Sequence, residues 1–138
     1  MPVFCEIISQ DRQVFSGEVD MVVAPGADGV MGILPHHSSL LSTLKVGELK
    51  VRRGGDEEIF AVSGGLIEVR PDRIVILADA AERADEIDVA RAEEARQRAE
   101  AQLAAAPAPH SEAYLAAVSA LRRSSLRLTV ARRKTEKK

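Results

Sequence analysis

Aromatic residues are scarce in this chain of 138 residues, which has three Phe, one Tyr and no Trp. Proteins that bind single-stranded nucleic acid stack bases on aromatic side chains, so the sequence argues against that function. Cys5 is the one cysteine. It excludes an intrachain disulfide, and a reducing compartment suits the protein.

Long hydrophobic runs are also lacking. No apolar run approaches the roughly 20 residues that a membrane-spanning helix needs. The first residues lack the basic and then apolar pattern of a secretory signal. We therefore expect a soluble protein that associates with a membrane only through a partner.

Glycine is missing from the second part of the sequence. All nine glycines lie between Gly17 and Gly65, whereas alanine is abundant from Ala78 onward. Glycine marks tight turns and alanine favours helices. The sequence therefore predicts a β domain over residues 1–84 and a helical domain over residues 85–138.

Short apolar runs alternate with turn residues throughout the β domain. Many short strands at close, regular spacing are typical of an antiparallel β-sandwich or flattened barrel. Strands are predicted at residues 3–9, 18–24 and 32–35, and hairpins at 49–62 and 66–77. Turns are predicted at residues 15–17, 25–29, 45–48 and 62–65.

Two helices are predicted in the second domain, at residues 88–104 and, after an N-cap at Ser111, as far as Arg132. Pro107 to His110 separate them. In the first helix, helical spacing links Ala92, Ala95 or Ala99, and Leu103. In the second helix, it links Leu115, Val118, Leu121, Ser125 and Leu128. An alanine stripe facing a leucine-valine stripe predicts an antiparallel hairpin. Because alanine removes little surface from water, we expect a marginal hairpin whose helices can separate.

The net charge of −2 conceals an uneven distribution. Residues 1–84 contain 8 Lys and Arg against 13 Asp and Glu, and residues 85–138 contain 11 against 8. Such a basic end is either a solvated helix face or a surface for an acidic partner. Its residues are Arg122, Arg123, Arg127, Arg132, Arg133, Lys134, Lys137 and Lys138.

No residue pattern of a catalytic or metal site is present. Nothing in the spacing of Cys5, His36 and His37 supports a metal site, and His110 lies in a proline-rich turn. Neither Gly26 to Gly29 nor Gly64-Gly65 is followed by the helix and lysine that a phosphate-binding loop requires. We expect neither catalysis nor a metal.

The segment from Ile87 to Ala92 has two interpretations. In the first, Asp88 is the N-cap of the first helix, and Ile87 and Ala92 occupy the two positions of a hydrophobic staple. In the second, the segment is part of a nucleotide site. Spacing alone favours the first interpretation.

The nucleotide interpretation depends on four arginines. Arg91 and Arg98 are seven residues apart on the first helix, and Arg123 and Arg127 are four apart on the second. Folding the hairpin brings the second pair towards the first. Four guanidinium groups in one place are costly unless an anion such as a triphosphate lies between them.

Three segments, residues 25–37, 62–65 and 76–82, closely resemble the epsilon subunit of bacterial F-type ATP synthase. The length, the order of the two domains and Phe15-Ser16-Gly17 agree with this resemblance. The sequence departs from the family's usual pattern at His36, commonly glycine, and at Ser38-Ser39, commonly Ala-Pro. These departures affect the shape of one loop and leave the expected fold unchanged.

The resemblance implies a non-catalytic rotor-stalk subunit that couples proton-driven rotation to ATP synthesis and inhibits ATP hydrolysis. The β-sandwich would bind the gamma subunit, with His37 facing it, and the ring of c subunits, through Asp28, Gly29 and Val30. The helices would fold back or extend along gamma towards the catalytic beta and alpha subunits. In the extended form, a basic surface would meet an acidic loop: Arg122, Arg123, Arg127, Arg132 and Arg133. The location implied is the cytoplasmic face of the bacterial plasma membrane, as a peripheral part of the complex.

Some members of the resembled family bind ATP in the folded hairpin. No cofactor is required, and ATP would be a regulatory ligand. The matching positions here are Glu82, Ile87, Asp88, Arg91, Ala92, Arg98, Arg123 and Arg127. A cap and staple would keep much of this motif without any nucleotide, so both interpretations stay open.

Two other classes of function are alternatives. A stand-alone ATP-sensing module would use the sandwich as a scaffold. A nucleic-acid binder would use the basic end and bind any duplex with strong salt dependence. We do not expect nucleic-acid binding, because no aromatic or groove-entering element accompanies the charge.

Overall fold

The computed structural model describes residues 2–10 and 12–136, with side chains as far as Arg133. The chain divides into two compact units, Met1–Ala84 (the β unit) and Asp85–Lys138 (the helical unit). The described strands are β1 (Val3–Ser9), β2 (Arg12–Val19), β3 (Met21–Gly26), β4 (Gly29–Ile33), β5 (Leu40–Arg53), β6 (Asp56–Arg70), β7 (Arg73–Ala78) and β8 (Ala81–Arg83). A short 3-10 helix (Ala84–Glu86) precedes the α-helices α1 (Val89–Ala105) and α2 (Glu112–Glu136).

The strands form one sheet in the order β2-β1-β7-β6-β5-β3-β4, and β8 pairs with β6. The described pairs are antiparallel except β1 with β7, which are parallel. The path runs from one edge strand to another and does not close. The predicted flattened antiparallel sandwich followed by a two-helix hairpin is therefore confirmed.

The core of the β unit lies on the inward-facing positions of the strands. In β1, Val3, Cys5 and Ile7 are buried and the residues between them are only half-buried, the period of two that a sheet with one covered face imposes. Phe15 on β2 and Phe60 on β6 meet edge to face, with ring centroids 6.1 Å apart. Aromatic contacts of this geometry add to the stabilisation from burial.

Some predicted local structure is correct. Gly54-Gly55 and Pro71-Asp72 are the turns of two hairpins, as predicted. The predicted turn at residues 25–29 is also present, but narrower, because Gly26 and Gly29 are already paired in β3 and β4. The strand predicted at residues 18–24 is interrupted by a bend at Asp20.

Three predicted turns were wrong, because residues 15–17, 45–48 and 62–65 lie inside β2, β5 and β6. At Gly47 the reason is close packing. A Cβ atom there would lie 2.6 Å from the Cβ atom of Pro25, which is too close for any side chain. This glycine permits two strands to approach and does not mark a turn.

Gly64 and Gly65 bend β6 without ending it. Before them, β6 pairs with β8 from Phe60 to Val62; from Gly65 onward it pairs with β7. Their φ angles are 82° and 130°, which other residues rarely adopt. A Cβ atom on Gly65 would lie 2.1 Å from the carbonyl oxygen of Leu77. Glycine is therefore required where the strand changes its partner.

The two α-helices pack against each other along a line of small side chains, here called the seam. Small buried residues recur every seven positions along it, at Ala92 and Ala99 on α1 and at Ala117, Ser124 and Ala131 on α2, and Val130 of α2 is buried beside them. The predicted stripe on α2 was wrong at Leu115, which is 53% exposed. Helix α2 also continues beyond the predicted end at Arg132.

Candidate functional site

Asp88 is the N-cap of α1. Its Oδ1 atom accepts a hydrogen bond of 3.1 Å from the backbone N–H of Arg91, and its carbonyl oxygen accepts one of 3.0 Å from Ala92. The Asp88 backbone is extended, as an N-cap requires. Ile87 and Ala92, the two positions of the predicted staple, are both buried. The structural interpretation of this segment is therefore correct as far as the cap is concerned.

The four predicted arginines belong to the helical unit. Arg91 and Arg98 immediately precede the seam residues Ala92 and Ala99, so both lie on the same side of α1. On α2, Arg123 immediately precedes Ser124, and Arg127 lies four residues further on the same face. In an antiparallel pair these two sides coincide. Arg91, Arg98, Arg123 and Arg127 therefore share one edge of the hairpin, here called the arginine edge.

Exposure of these arginines suits a ligand from solution. Arg91, Arg98 and Arg123 are exposed, and Arg127 is half-buried. Guanidinium groups keep their charge at any physiological pH and donate hydrogen bonds in pairs to phosphate oxygens. The edge is thus chemically suited to a polyphosphate.

The opposite edge of the hairpin carries an ion-pair network on α1. Arg96 pairs with both Glu93 and Glu100. The hydrogen bond from Arg96 lowers the pKa of Glu93 below its usual value, and the charge of Arg132 on α2 lowers it further. The pKa of Arg96 is raised in turn, chiefly by its hydrogen bond with Glu93. Two acidic side chains of α1 are thereby directed away from the arginine edge.

Glu82, the remaining residue of the predicted nucleotide site, lies in the other unit. It is half-buried on the short strand β8, opposite Ala61 of β6. The structure thus places seven of the eight predicted residues in the helical unit and one in the β unit.

The predicted partner residues of the β unit lie in the β3–β4 turn, at the start of β4 and in the loop after β4. Asp28 is exposed in the β3–β4 turn, and Val30, just beyond it, is 72% exposed. His37 follows β4, with its Nδ1 atom 2.7 Å from the carbonyl oxygen of Ser38. The neighbouring His36 has φ 65° and donates its backbone N–H to the carbonyl oxygen of Pro71. The loop thus keeps a backbone shape that glycine adopts more easily than histidine.

The basic residues of α2 are largely at the surface. Arg122, Arg123, Arg132 and Arg133 are exposed. The side chain of Lys134, and the whole of Lys137 and Lys138, lie outside the described residues.

One surface of the β unit was missed by the sequence analysis. Leu66 and Leu77 are paired across β6 and β7, and Leu41 is on β5; all three are exposed. They form the exposed leucine group. The sequence signals this surface by two apolar residues in a row within a strand, because neighbouring residues of a strand face opposite sides of the sheet. Leu66 is exposed, whereas Ile67 next to it is buried.

The described residues lack two further features. They contain no helix that is both long and apolar enough to cross a membrane. In the same part of the chain, no group of three or more His, Cys, Asp or Glu side chains could hold a metal ion.

Comparison with known proteins identifies the class. Residues 3–84 match the beta-sandwich domain of the ATP synthase Delta/Epsilon chain, and residues 85–132 match the long alpha-helix domain of the same chain. The protein therefore belongs to the family of ATP synthase delta/epsilon chains, which are non-catalytic subunits of that complex. Within this family it is similar to the bacterial proteins named ATP synthase epsilon chain.

Two such relatives cover almost the whole chain. The protein from Dehalococcoides mccartyi is 54% identical over 129 residues, which are 94% of this chain and 91% of the relative. The protein from Herpetosiphon aurantiacus is 49% identical over 132 residues, 96% of each chain. The resemblance inferred from the sequence is thus confirmed.

Solved structures show the same fold at lower identity. A chain in the mitochondrial ATP synthase of Euglena gracilis has a TM-score of 0.77 and 23% identity, with 90% of this chain and 78% of that chain covered. A chain in the central stalk and c-ring of the Tetrahymena thermophila enzyme has a TM-score of 0.62 and 13% identity, with 94% and 96% covered.

Proposed function

We propose that this chain is a rotor-stalk subunit of a proton-translocating F-type ATP synthase, in which it couples rotation to ATP synthesis and restrains ATP hydrolysis. One observation carries the regulatory part. The helical unit is a hairpin whose seam consists largely of alanine, and four arginines line one of its edges. Such a seam removes little apolar surface from water, so closing the hairpin stabilises it only weakly. A ligand on the arginine edge can then decide between closed and open forms.

The β unit is the part that attaches to the rotor in this proposal. The exposed leucine group and the loop at His37 would contact the gamma subunit, because contiguous exposed apolar side chains mark protein interfaces. The exposed turn at Asp28 and the adjoining start of β4, Gly29 and Val30, would contact the ring of c subunits. Attachment through these partners would hold the chain at the cytoplasmic face of the bacterial plasma membrane.

The helical unit is the regulatory part. ATP on the arginine edge would hold the hairpin closed and permit hydrolysis. Without ATP, the helices would extend along gamma and bring the basic residues of α2 to an acidic loop of the catalytic beta and alpha subunits. ATP shifts this equilibrium only by its difference in affinity for the two forms. The closed form alone unites Arg91 and Arg98 of one helix with Arg123 and Arg127 of the other.

The inhibitory role is tested in the assembled complex. Ending the chain after Asp88 removes both α-helices and leaves the β unit. We expect unchanged co-purification with gamma and the ring, together with a several-fold increase in ATP hydrolysis. Hydrolysis at the level of the full-length protein would contradict the inhibitory role, and loss of gamma from the complex would contradict the attachment through the β unit.

The ATP role is tested by calorimetric titration of the full chain with ATP and with ADP. We expect Arg91→Ala to weaken ATP binding by at least about tenfold, since a charge-assisted contact with phosphate contributes about 1.5–3 kcal/mol. The matched control is Arg122→Ala, which removes an exposed guanidinium from α2 away from the arginine edge. That control should keep ATP binding and weaken inhibition in the complex.

Two results would contradict the ATP role. One is the absence of binding up to millimolar ATP, which would leave residues 87–92 as a helix cap alone. The other is an equal loss of affinity in Arg91→Ala and Arg122→Ala, which would indicate attraction by general positive charge.

A further inference from the structure

Arg83 connects the last strand of the β unit to two other strands. Its Nη1 atom donates to the Oε2 atom of Glu58 on β6, and its Nη2 atom donates to the carbonyl oxygen of Val14 on β2, both at 3.0 Å. Its guanidinium also lies over the rings of Phe60 and Phe15, with the Cζ atom 5.3 Å and 6.0 Å from their centroids. One side chain thus holds β8 against both β2 and β6, which are not neighbours in the sheet.

Strand β8 is short, and Ala81 is its one residue in the hydrophobic core among those described. It contains three residues, paired with Phe60, Ala61 and Val62 of β6. Three pairs at the end of a sheet fray easily, because such ends open at a small cost in free energy. The contacts of Arg83 are of the stronger kind, since they combine charge-assisted hydrogen bonds with cation–π contacts in a half-buried place.

Arg83 lies next to the boundary between the two units, so its contacts hold the strand that leads into the helical unit. The next residue is Ala84, at which the β unit ends, and the helical unit begins at Asp85. A force that pulls on the helical unit is transmitted through the backbone to β8. Without an anchor it would peel β8 from β6, and the boundary between fixed and moving parts would shift into the sheet.

We propose that Arg83 is a mechanical anchor that fixes β8 to the core of the β unit, so that movement of the helical unit stops at Ala84. The movement itself rests on the proposed function, but the anchoring does not. Lysine could replace the charge opposite Glu58, but its compact ammonium lacks the planar fork that bonds Glu58 and Val14 while it stacks on two rings.

Arg53 provides a matched control. It stacks on the same Phe15 ring, with 5.4 Å from its Cζ atom to the centroid, and lies 3.9 Å from the same Glu58 carboxylate. It belongs to β5, however, and not to β8. Replacing it removes a contact with the same ring and a longer ion pair with the same carboxylate, without releasing the strand that leads to the helical unit.

Hydrogen exchange of the isolated full chain tests the anchor. In Arg83→Ala, we expect the amides of residues 79–83, and of Ser63 that donates to the carbonyl oxygen of Ala80, to exchange at least about tenfold faster. The amides of the β1–β7 pair should keep their rates. Arg83→Lys should show the same local increase to a smaller extent, which keeps the test decisive if Arg83→Ala does not fold.

Two results would overturn the proposal. One is an unchanged rate at residues 79–83 in both Arg83 variants. The other is an increase of the same size and distribution in Arg53→Ala, which would show a general loss of stability. Neither result depends on ATP hydrolysis by the complex, so failure of the anchor is distinguishable from failure of the proposed function.

Discussion

The carboxylate of Asp88 and the backbone N–H of Arg91 form a hydrogen bond of 3.1 Å in the first turn of α1. Because the backbone of Arg91 is the donor, the cap does not use its guanidinium group. The cap and a phosphate contact are therefore compatible in the same six residues. The two interpretations of this segment can both hold.

Removal of the cap should weaken α1. We expect Asp88→Ala to lower the free energy of unfolding by about 1 kcal/mol, because one backbone donor at the helix start loses its partner. Asp88→Asn keeps an acceptor and should cost only a few tenths of that amount. Urea unfolding followed by circular dichroism at 222 nm measures both variants. Equal stability of Asp88→Ala and the unaltered protein would contradict the role of the cap.

The bend in β6 should not tolerate a side chain at Gly65. We expect Gly65→Ala to lower the free energy of unfolding by about 3 kcal/mol or more, because φ is 130° and the new Cβ atom would clash with the Leu77 carbonyl. Gly55→Ala is the matched control, since a Cβ atom there meets open space and its effect should stay within about 0.5 kcal/mol. Urea unfolding compares the two, and a similar loss in both would be evidence against the bend.

The loop after β4 should prefer glycine at position 36. A residue other than glycine loses about 1–2 kcal/mol in the left-handed region, which His36 occupies. We expect His36→Gly to stabilise the protein by up to about 1 kcal/mol, because the added freedom of the unfolded chain offsets part of the relief. His36→Val should destabilise it, because β-branched residues avoid this region. Midpoints of thermal unfolding in the opposite order would exclude this explanation.

The Cys5 thiol should be inert and should make stability depend on pH above about 9. Burial raises the pKa of Cys5 to about 12, and the nearby Glu6 carboxylate contributes. A pKa that is higher in the folded state gives a contribution to stability that is complete below the unfolded value. That contribution is lost as the pH rises from about 9 towards 12.

Two measurements check this thiol prediction. Alkylation of the folded protein at pH 8 should be slow and should accelerate when urea unfolds it. The difference in unfolding free energy between the unaltered protein and Cys5→Ala should decrease between pH 9 and pH 11. Fast alkylation of the folded protein, or a difference independent of pH, would contradict the prediction.

The sequence was sufficient to predict the structure where a residue type favours one kind of local structure. Glycine in the first part and alanine in the second predicted the order of sheet and helices, and Asp88 was correctly placed as a cap. The sequence was insufficient where the role of a residue depends on packing against a distant part of the chain. Gly47 faces Pro25, and Gly65 faces Leu77; neither neighbour can be read from the local pattern, so both glycines were taken for turns.

The helical hairpin shows the same difference. Leucines at helical spacing predicted the stripe on α2, but the buried line consists of smaller side chains, and Leu115 is exposed. Close approach of two helices favours small residues at their contact. Only the packed pair shows which face of each helix forms that contact. The arginine edge was predicted from the same helical periodicity. An arginine that immediately precedes a seam residue always lies on the same side of its helix.

Ser124 gives the seam an unusual property. It is the one polar side chain among the described residues that is fully buried, and its hydroxyl bonds the carbonyl oxygens of Ala120 and Leu121 on its own helix, at 2.9 and 3.2 Å. Both hydrogen bonds of Ser124 are therefore made within α2 and do not depend on α1. Parting the helices exposes this serine to water without breaking a bond or stranding a donor. In the opening and closing that we propose for the hairpin, α2 would therefore have no polar partner on α1 to find again each time the helices close.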